Sequence, residues 1–597
     1  MNRVSLKIAG ASGQGLDSMG DIISKALKRS GYCIFGYREY PSLIKGGHAS
    51  FQIDASDEYI ESSETKVNVI IAFNHHVLEK NIGDLKPGGI LIHSTPHWKF
   101  PAAEQKLIDR ESLSIIYLPV EEILSKLGAK PVLTNVLLTA CVWAMLGQDI
   151  DALKKMVGER FAKKKDLLDL NMRCIDEGFR LQKEHQRTVT MPKAKREWQK
   201  YLVITGAKAM GLGTVQAGVR VYAGYPMTPS SPLLTFIAEI QNKTGMVIKQ
   251  AEDEITAAQF VSGAMHMGTR ALTGTSGGGF DLMSETVSLN AIIENPTVFV
   301  LAQRPGPATG LPTWTGQGDL LMAIGTSHGE FARCVLSVSN ATDSFYLVNE
   351  AFNIAEKYQI SVILLTDKQT MEALYTEQPY NLKKIVIDRG LLITNPEKLL
   401  KLQSSDRFDP NAKDGISQRW LPGAKAATYV AQGDEHNAEG TVDETSANAV
   451  LQINKRMRKQ EALAASLPEP DLWIEASGQW QVARNDEKVD MLLIGWGSTK
   501  SVVLDALKNL ELKDQKSKLS IGYLHYTYLW PLKTAKFMNL AEAAKKIVLI
   551  EGNYQGQLGV LLRQETGIKI HDRILKYDGR PFFVDELLKE IQEIFCH

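Results

Sequence analysis

"QAEDEITAAQFVSGAMHMGTRALTGTSGGGFDLMSE", Gln250 to Glu285, decides how this chain is read. From Glu254 an apolar run carries small residues at Ala257, Ala258 and Gly263, the pattern of a helix that packs closely on a neighbour. "RALTGTS" is β-rich and leads into three glycines, Gly277 to Gly279, with a second helical pattern, "DLMSETVSLNAI", behind them. The order is helix, strand, glycine turn, helix. Glu254 opens the first helix, where the macrodipole stabilises a carboxylate, so one reading of it is an N-terminal cap. The other is a functional carboxyl on a helix that is followed by a strand and a small-residue turn.

Upstream, "GYPMTPSS", Gly224 to Ser231, brackets Thr228 between prolines, and Pro232 follows. Proline fixes φ and removes an amide donor, so this is neither a central strand nor a helix interior. It reads as a strand-to-helix turn that presents hydroxyls. "YLVITG", "VRVYAGYP", "RALTGTS", "TVFVLAQR" and "ISVILLTD" are short buried strands between helices, a parallel α/β signature for residues 201–380. Arg304 directly follows "TVFVLAQ". Taken alone, such an arginine is more often a surface ion-pair partner, but its place is a strand's C-terminal edge, where open α/β sheets bind ligands.

Residues 1–186 begin with the strand "VSLKIAG", the turn "ASGQGLD" and the helix "SMGDIISKALKRSGY". Gly10, Gly13 and Gly15 either let backbone amides approach an anion or only permit a tight turn. "VNVIIAFN", "GGILIHS" and "LSIIYLPV" alternate with helices, which predicts a largely parallel sheet. The basic run Lys183 to Lys200 reads as solvated, with an exposed linker at 187–200. Residues 381–485 are poorly periodic, as in a connector or a lid. In 486–597, "DMLLIGWGS", "LSIGYLHY", "KIVLIEGN" and "RPFFVDEL" are strand candidates of a further α/β domain.

A chain of 597 residues is too long for one core and suggests roughly three to five domains. Lys+Arg and Asp+Glu both total 68, which argues against a nucleic-acid binder or a polybasic membrane protein. There is no run of eighteen apolar residues, and the N-terminus begins a strand rather than a signal peptide, so the expected location is cytoplasm. Cys33, Cys141, Cys174, Cys334 and Cys596 form no C-x-x-C and sit in apolar contexts, as structural thiols do. An iron–sulfur cluster would need about four suitably spaced cysteines, so none is expected on this chain, nor any metal site.

The ordered motifs resemble the alpha subunit of 2-oxoacid:ferredoxin oxidoreductases, in the bacterial form with a fused N-terminal gamma domain, and are 2-oxoglutarate synthase-like. "GASGQG" and "REYPSLIKGGHASFQI" (Arg38 to Ile53) are similar to the gamma domain, 1–186. "GYPMTPSS", "RPGPATGLPT", "QGDL" and "HGEF" follow in order through a pyrimidine-binding thiamine diphosphate (TPP) domain, 201–380. "DGISQRWLPG" and "GDEH" resemble the connector, 381–485, and "EGNYQGQL" the transketolase C-terminal-like domain II, 486–597. The resemblance implies that Glu254 shares a proton with the cofactor's pyrimidine nitrogen, that Pro226, Ser276, Gly277 and Gly278 help seat the cofactor, and that Thr228, Arg304, Thr313 and Trp314 face the oxoacid. Arg304 would bind the substrate carboxylate, for which a guanidinium fork is suited. Two places depart from the pattern. "GAKA", Gly206 to Ala209, stands where an Asn-Glu pair is expected, and Trp314 and Gly316 stand where a basic residue and a glutamate are expected for 2-oxoglutarate.

There is no Gly-Asp-Gly in the chain. The resemblance therefore implies half an active site, completed by a beta subunit that brings Mg²⁺, the diphosphate site and a [4Fe-4S] cluster in an α₂β₂ assembly. The implied reaction is oxidative decarboxylation of a 2-oxoacid with coenzyme A and ferredoxin. 2-Oxoglutarate is the first choice of substrate, pyruvate or a branched-chain oxoacid the alternative. A reading of another class is a regulatory module that holds a nucleotide through "GASGQG".

Overall fold

The computed structural model describes residues 2–43, 46–161, 165–483, 487–510 and 520–596. Ile44 and Lys45 of the stretch Arg38 to Ile53, the 485/486 boundary and the side chain of Cys596 lie outside the described residues. Among the described residues three sheets with helices on their faces organise the chain, an α/β architecture as read from the sequence.

The first sheet has eight strands. Arg3–Ser12 pairs in parallel with Val67–Ala72, and the parallel order continues through Leu85–His93 to Ser114–Tyr117. On its other side Arg3–Ser12 pairs antiparallel with Gly46–Ser56, which pairs antiparallel with Cys33–Glu39. Only half of this sheet is parallel, because the short link between those two strands permits a hairpin and not a crossover. The sheet then recruits the second domain. Leu374–Glu377 joins beside Gly36, and Leu202–Thr205 pairs with Leu374–Glu377. "YLVITG" is thus a strand of the first sheet and not of the second. It follows directly on Trp198, which is buried and donates from Nε1 to the Asp57 carbonyl at 3.1 Å, so the chain emerges at the first sheet's edge. The same anchoring corrects the linker reading. Residues 187–200 are mostly exposed but strapped down, with Val189 N donating to Met145 O and Lys195 N to Gly31 O, both at 2.8 Å. Val189, Met191 and Trp198 were the apolar signals inside the basic run.

The second sheet runs Tyr528–Trp530, Arg333–Ser337, Ser361–Asp367, Thr297–Gln303, Ala271–Thr275, Val221–Gly224, Val247–Gln250. All its pairs are parallel except the first, whose outer strand comes from the C-terminal domain. The third sheet holds Met491–Trp496, Ile521–Tyr526, Lys546–Glu551 and Asp572–Leu575 in parallel, flanked by the antiparallel strands Asp471–Ala476 and Gln479–Val482. That hairpin, read as connector, therefore belongs to the C-terminal sheet. "RPFFVDEL" is not a strand: Val584–Cys596 is a helix, with Val584, Leu587 and Ile591 buried at helical spacing. Phe299 and Leu301 share a core with Leu492, Ile494 and Trp496, and Phe35 and Tyr37 share one with Phe345 and Tyr375. The domains interlock through strands and cores alike.

The connector helix Ser446–Ser466 is fixed by charge. Lys455 and Lys459, both buried, close on the buried carboxylate of Glu294, which they hold well below the usual carboxylate range against its burial. The four described free cysteines, Cys33, Cys141, Cys174 and Cys334, are buried, and burial pushes every thiol up. Among the described residues no single helix is long and apolar enough to cross a membrane.

Carboxyls gather where the domains meet. Glu61 accepts from Asn340 Nδ2 at 2.8 Å, Glu377 accepts from Thr342 Oγ1 at 2.6 Å, and Asp505 accepts from Glu61 N and Ser62 Oγ. Burial and the neighbouring Glu61 push Glu377 up to about 8, and burial and Asp505 push Glu61 up as well. Groups raised in the fold stabilise it below their unfolded value, and that stability is lost as pH rises through the folded value. The thermal unfolding midpoint is therefore expected to fall between pH 5 and pH 8, and Glu377→Gln to remove much of that slope. An unchanged slope in the variant, read by calorimetry, would count against this pair as its source.

Candidate active site

Three neighbouring parallel strands end side by side, at Gly224, Thr275 and Gln303, and each is followed by one of the loops singled out above. Ser230 Oγ donates to Met227 O at 2.8 Å and to Gly274 O at 3.2 Å, which ties the "GYPMTPSS" turn to the neighbouring strand. Thr275 Oγ1 lies 3.8 Å from Met227 Sδ. Arg304 Nη1 donates to the Thr228 carbonyl at 2.7 Å. The structure thus brings Thr228, Arg304 and the glycine turn into one group, with Pro226 exposed at its rim.

Glu254 is the first residue of the helix Glu254–His266, but it is not the cap. Asp253 fills that position, its Oδ1 accepting from Thr256 N at 2.7 Å. Glu254 is 4% exposed, and its Oε1 has no hydrogen-bond partner. A Cβ on Gly279 would lie 2.1 Å from Thr275 Oγ1 and 2.8 Å from both Cγ and Oε1 of Glu254, so only glycine lets the turn approach the carboxyl this closely. A Cβ on Gly278 would meet nothing within 4 Å, and the Ser276 hydroxyl is buried without a partner. Gly263, read as a packing position, also faces open space, and the close packing is made by Ala257 and Ala258. An unpaired buried polar atom destabilises by about 1–3 kcal/mol, so two beside one glycine turn mark a surface shaped for a polar ligand. A nitrogen-containing ring that shares a proton with Glu254 fits this surface.

One further carboxyl belongs to the group. Asp319, in "QGDL", has its backbone N held by Gln303 Oε1 at 3.0 Å, and its carboxyl would lie about 3.0 Å from a Cβ on Gly277. Its Oδ2 is buried and unpartnered. Burial and Asp281 push it up to about 6, while Arg304 pulls it down. Burial lowers the Arg304 guanidinium, and Asp319 offsets part of that. The motif was visible in the sequence, but nothing local placed its acid beside Gly277 and Arg304.

The remaining expectations land elsewhere. Thr313 Oγ1 donates to the Tyr40 carbonyl at 2.7 Å, so it clamps the first domain onto the site. Trp314 turns toward the C-terminal domain, where the Arg580 guanidinium sits 3.8 Å over its ring and Gly579 packs against it. That stacking explains why it is not brought to the cavity beside Thr228. In "GASGQG", Gly13 and Gly15 adopt positive φ, and the Ala11 amide is taken by Gln14 Oε1 at 2.7 Å. The turn closes on its own side chain, which matches the tight-turn reading.

A buried carboxyl at a helix start, a glycine turn pressed against it and an arginine at the next strand end are the arrangement expected of the pyrimidine side of a thiamine diphosphate enzyme. Comparison with known proteins narrows the class. The family "Pyruvate flavodoxin/ferredoxin oxidoreductase, thiamine diP-bdg" matches residues 212–455, and "Pyruvate ferredoxin/flavodoxin oxidoreductase" matches 5–181. The alpha subunit of a 2-oxoacid:ferredoxin oxidoreductase from Sulfolobus sp is 31% identical, covering 98% of this chain and 96% of that one. The alpha subunit of 2-oxoacid:ferredoxin oxidoreductase 2 from Aeropyrum pernix is 30% identical over 99% and 97%. The 2-oxoglutarate:ferredoxin oxidoreductase from Magnetococcus marinus, solved with 2-oxoglutarate, coenzyme A and succinyl-CoA bound, superposes with a TM-score of 0.88 at 28% identity over 99% of both chains. The chain belongs to the 2-oxoacid:ferredoxin oxidoreductase family, and its full-length relatives are alpha subunits.

Proposed function

We propose that this chain is the alpha half of a cytoplasmic TPP-dependent enzyme that converts 2-oxoglutarate and coenzyme A to the acyl-CoA and CO₂ while reducing ferredoxin. The buried, unpartnered Glu254 Oε1 pressed against Gly279 carries the reading. The substrate choice is supported by the Magnetococcus marinus enzyme, solved with 2-oxoglutarate, and by a 27% identical relative from Mycobacterium tuberculosis named 2-oxoglutarate oxidoreductase subunit KorA.

In this reading Glu254 holds a proton at Oε1, and Pro226, Ser276, Gly277 and Gly278 shape the seat of the cofactor's ring. TPP, when bound, supplies the carbon nucleophile that attacks the oxoacid. Arg304 holds the substrate's reacting-end carboxylate, its fork steadied by the Thr228 carbonyl. Thr228 also lines a neighbouring cavity. Mg²⁺, the diphosphate site and a [4Fe-4S] cluster are assigned to a beta subunit in an α₂β₂ assembly.

The test is to prepare the chain alone and with a beta subunit that carries the Gly-Asp-Gly motif. Alone, it is expected neither to turn over nor to bind TPP with Mg²⁺ tightly by calorimetry. With the partner, ferredoxin is expected to be reduced only when 2-oxoglutarate and coenzyme A are both present. Tight cofactor binding by the isolated chain would sink the half-site reading.

A further inference from the structure

A cavity of about 300 Å³ opens beside Thr228, between the helices Gly206–Gln216 and Ser231–Thr244 and the first-domain loop that carries Tyr40. It adjoins the candidate substrate site directly, because Thr228 lines it and Arg304 is bonded to Thr228. Its charged lining is Lys208, Glu239 and Glu372. Glu372 is already answered: it accepts from Tyr40 Oη at 2.7 Å and lies 3.9 Å from Lys368 and 4.0 Å from Arg38. Glu239 stands two turns along its helix from Ser231, about 12 Å at 1.5 Å per residue. Lys208 makes no ion pair among the described residues, and its backbone is fixed by the Thr205 hydroxyl that caps its helix at 3.3 Å. The cavity therefore offers one uncommitted cation, on a rigid helix, next to the residue that meets the oxoacid.

We infer that Lys208 is a specificity-determining residue that receives the distal carboxylate of a dicarboxylic 2-oxoacid in this cavity. The inference rests on the proposed oxoacid chemistry and deepens it. The reacting-end carboxylate goes to Arg304, so a second carboxylate at the other end of the same molecule needs a second cation. Trp314, expected from the sequence to face the oxoacid, is stacked under Arg580. Lys208 lies in "GAKA", where the sequence departs from the expected Asn-Glu pair, so the departure places a positive charge on the cavity wall.

The experiment uses the complex assembled with the partner subunit. Lys208→Met keeps the apolar stem and removes the charge, and an exposed residue of this kind does not endanger folding. It is expected to lower kcat/KM for 2-oxoglutarate about 10- to 100-fold, the range for losing one hydrogen bond to a charged group, and to leave pyruvate within about twofold. The dissociation constant of glutarate, an unreactive dicarboxylate, measured by calorimetry is expected to rise in parallel, and Lys208→Arg to retain most of the selectivity. An equal fall for both oxoacids, an unchanged glutarate affinity, or an effect confined to the KM for coenzyme A would overturn the inference alone. A wild-type complex that prefers pyruvate would overturn the substrate reading and the inference with it.

Discussion

Glu254→Gln is expected to lower turnover by about two to four orders of magnitude, the usual effect of losing an acid–base group, while the fold survives. Glutamine matches glutamate in volume, and the helix keeps its cap because Asp253 provides it. The substituted amide meets the same surroundings, Thr275 and Gly279, in which the carboxyl has no hydrogen-bond partner at Oε1. What disappears is the ability to hold and release a proton there. The measurement is single-turnover kinetics of the assembled enzyme, together with the thermal midpoint and the affinity for TPP. Asp253→Ala is the matched control: it removes the cap and is expected to reduce stability by about 1 kcal/mol with a far smaller effect on rate. Near-normal turnover in Glu254→Gln would show that the buried carboxyl has only a packing role.

The contrast between Asp253 and Glu254 also shows what was legible in the sequence. Both acids stand at the helix start, and the pattern alone could not decide which one caps it. Ala271–Thr275, Thr297–Gln303 and Ser361–Asp367 were readable because each is a short apolar run buried along its whole length, whereas the mostly exposed Val247–Gln250 and the strand Arg333–Ser337 were not read. The four-residue strands Leu202–Thr205 and Leu374–Glu377 were not, because so short a run carries no period, and their partners are set by long-range pairing across two domains. "RPFFVDEL" misled for a related reason: its apolar residues are as dense as a strand's, and only the spacing beyond it, through Leu587 and Ile591, is helical. In the site, Glu254, Thr228 and Arg304 stand at ends of elements, so chain order located them. Asp319, Tyr40 and Lys208 reach the site only through tertiary packing, and no local spacing marks them. Trp314 sits in a readable motif, yet its ring is claimed by Arg580 from the last domain, a contact no motif order reveals.

Arg304→Ala is expected to lower kcat/KM about 30-fold or more for every oxoacid, since truncating one partner of a desolvated charged pair typically costs about 2–5 kcal/mol and about 1.4 kcal/mol is a decade. Arg304 is half-buried at the strand end, and its Nη1 bond to the Thr228 carbonyl fixes the plane of the fork before substrate arrives. The remaining guanidinium edges are the ones that can meet a carboxylate. Arg304→Lys should recover only part of the loss, because a point charge cannot keep the Thr228 carbonyl and pair with both oxygens of a carboxylate together. Asp319 adds a signature that simple misfolding would not give. Its carboxyl, pushed up to about 6 with Arg304 pulling it down, rises further when the arginine is removed. The unpaired acid then repels an incoming carboxylate whenever it is ionised, so residual activity in Arg304→Ala should decline as pH rises above that value, and Arg304→Ala combined with Asp319→Asn should flatten the decline. The loss should also be general, where that of Lys208→Met is selective for dicarboxylates. Steady-state kinetics across 2-oxoglutarate, pyruvate and a branched-chain oxoacid between pH 5.5 and 8.5 separates the two. If Arg304→Ala changes only the ranking of substrates, Arg304 does not hold the reacting-end carboxylate, which every 2-oxoacid shares.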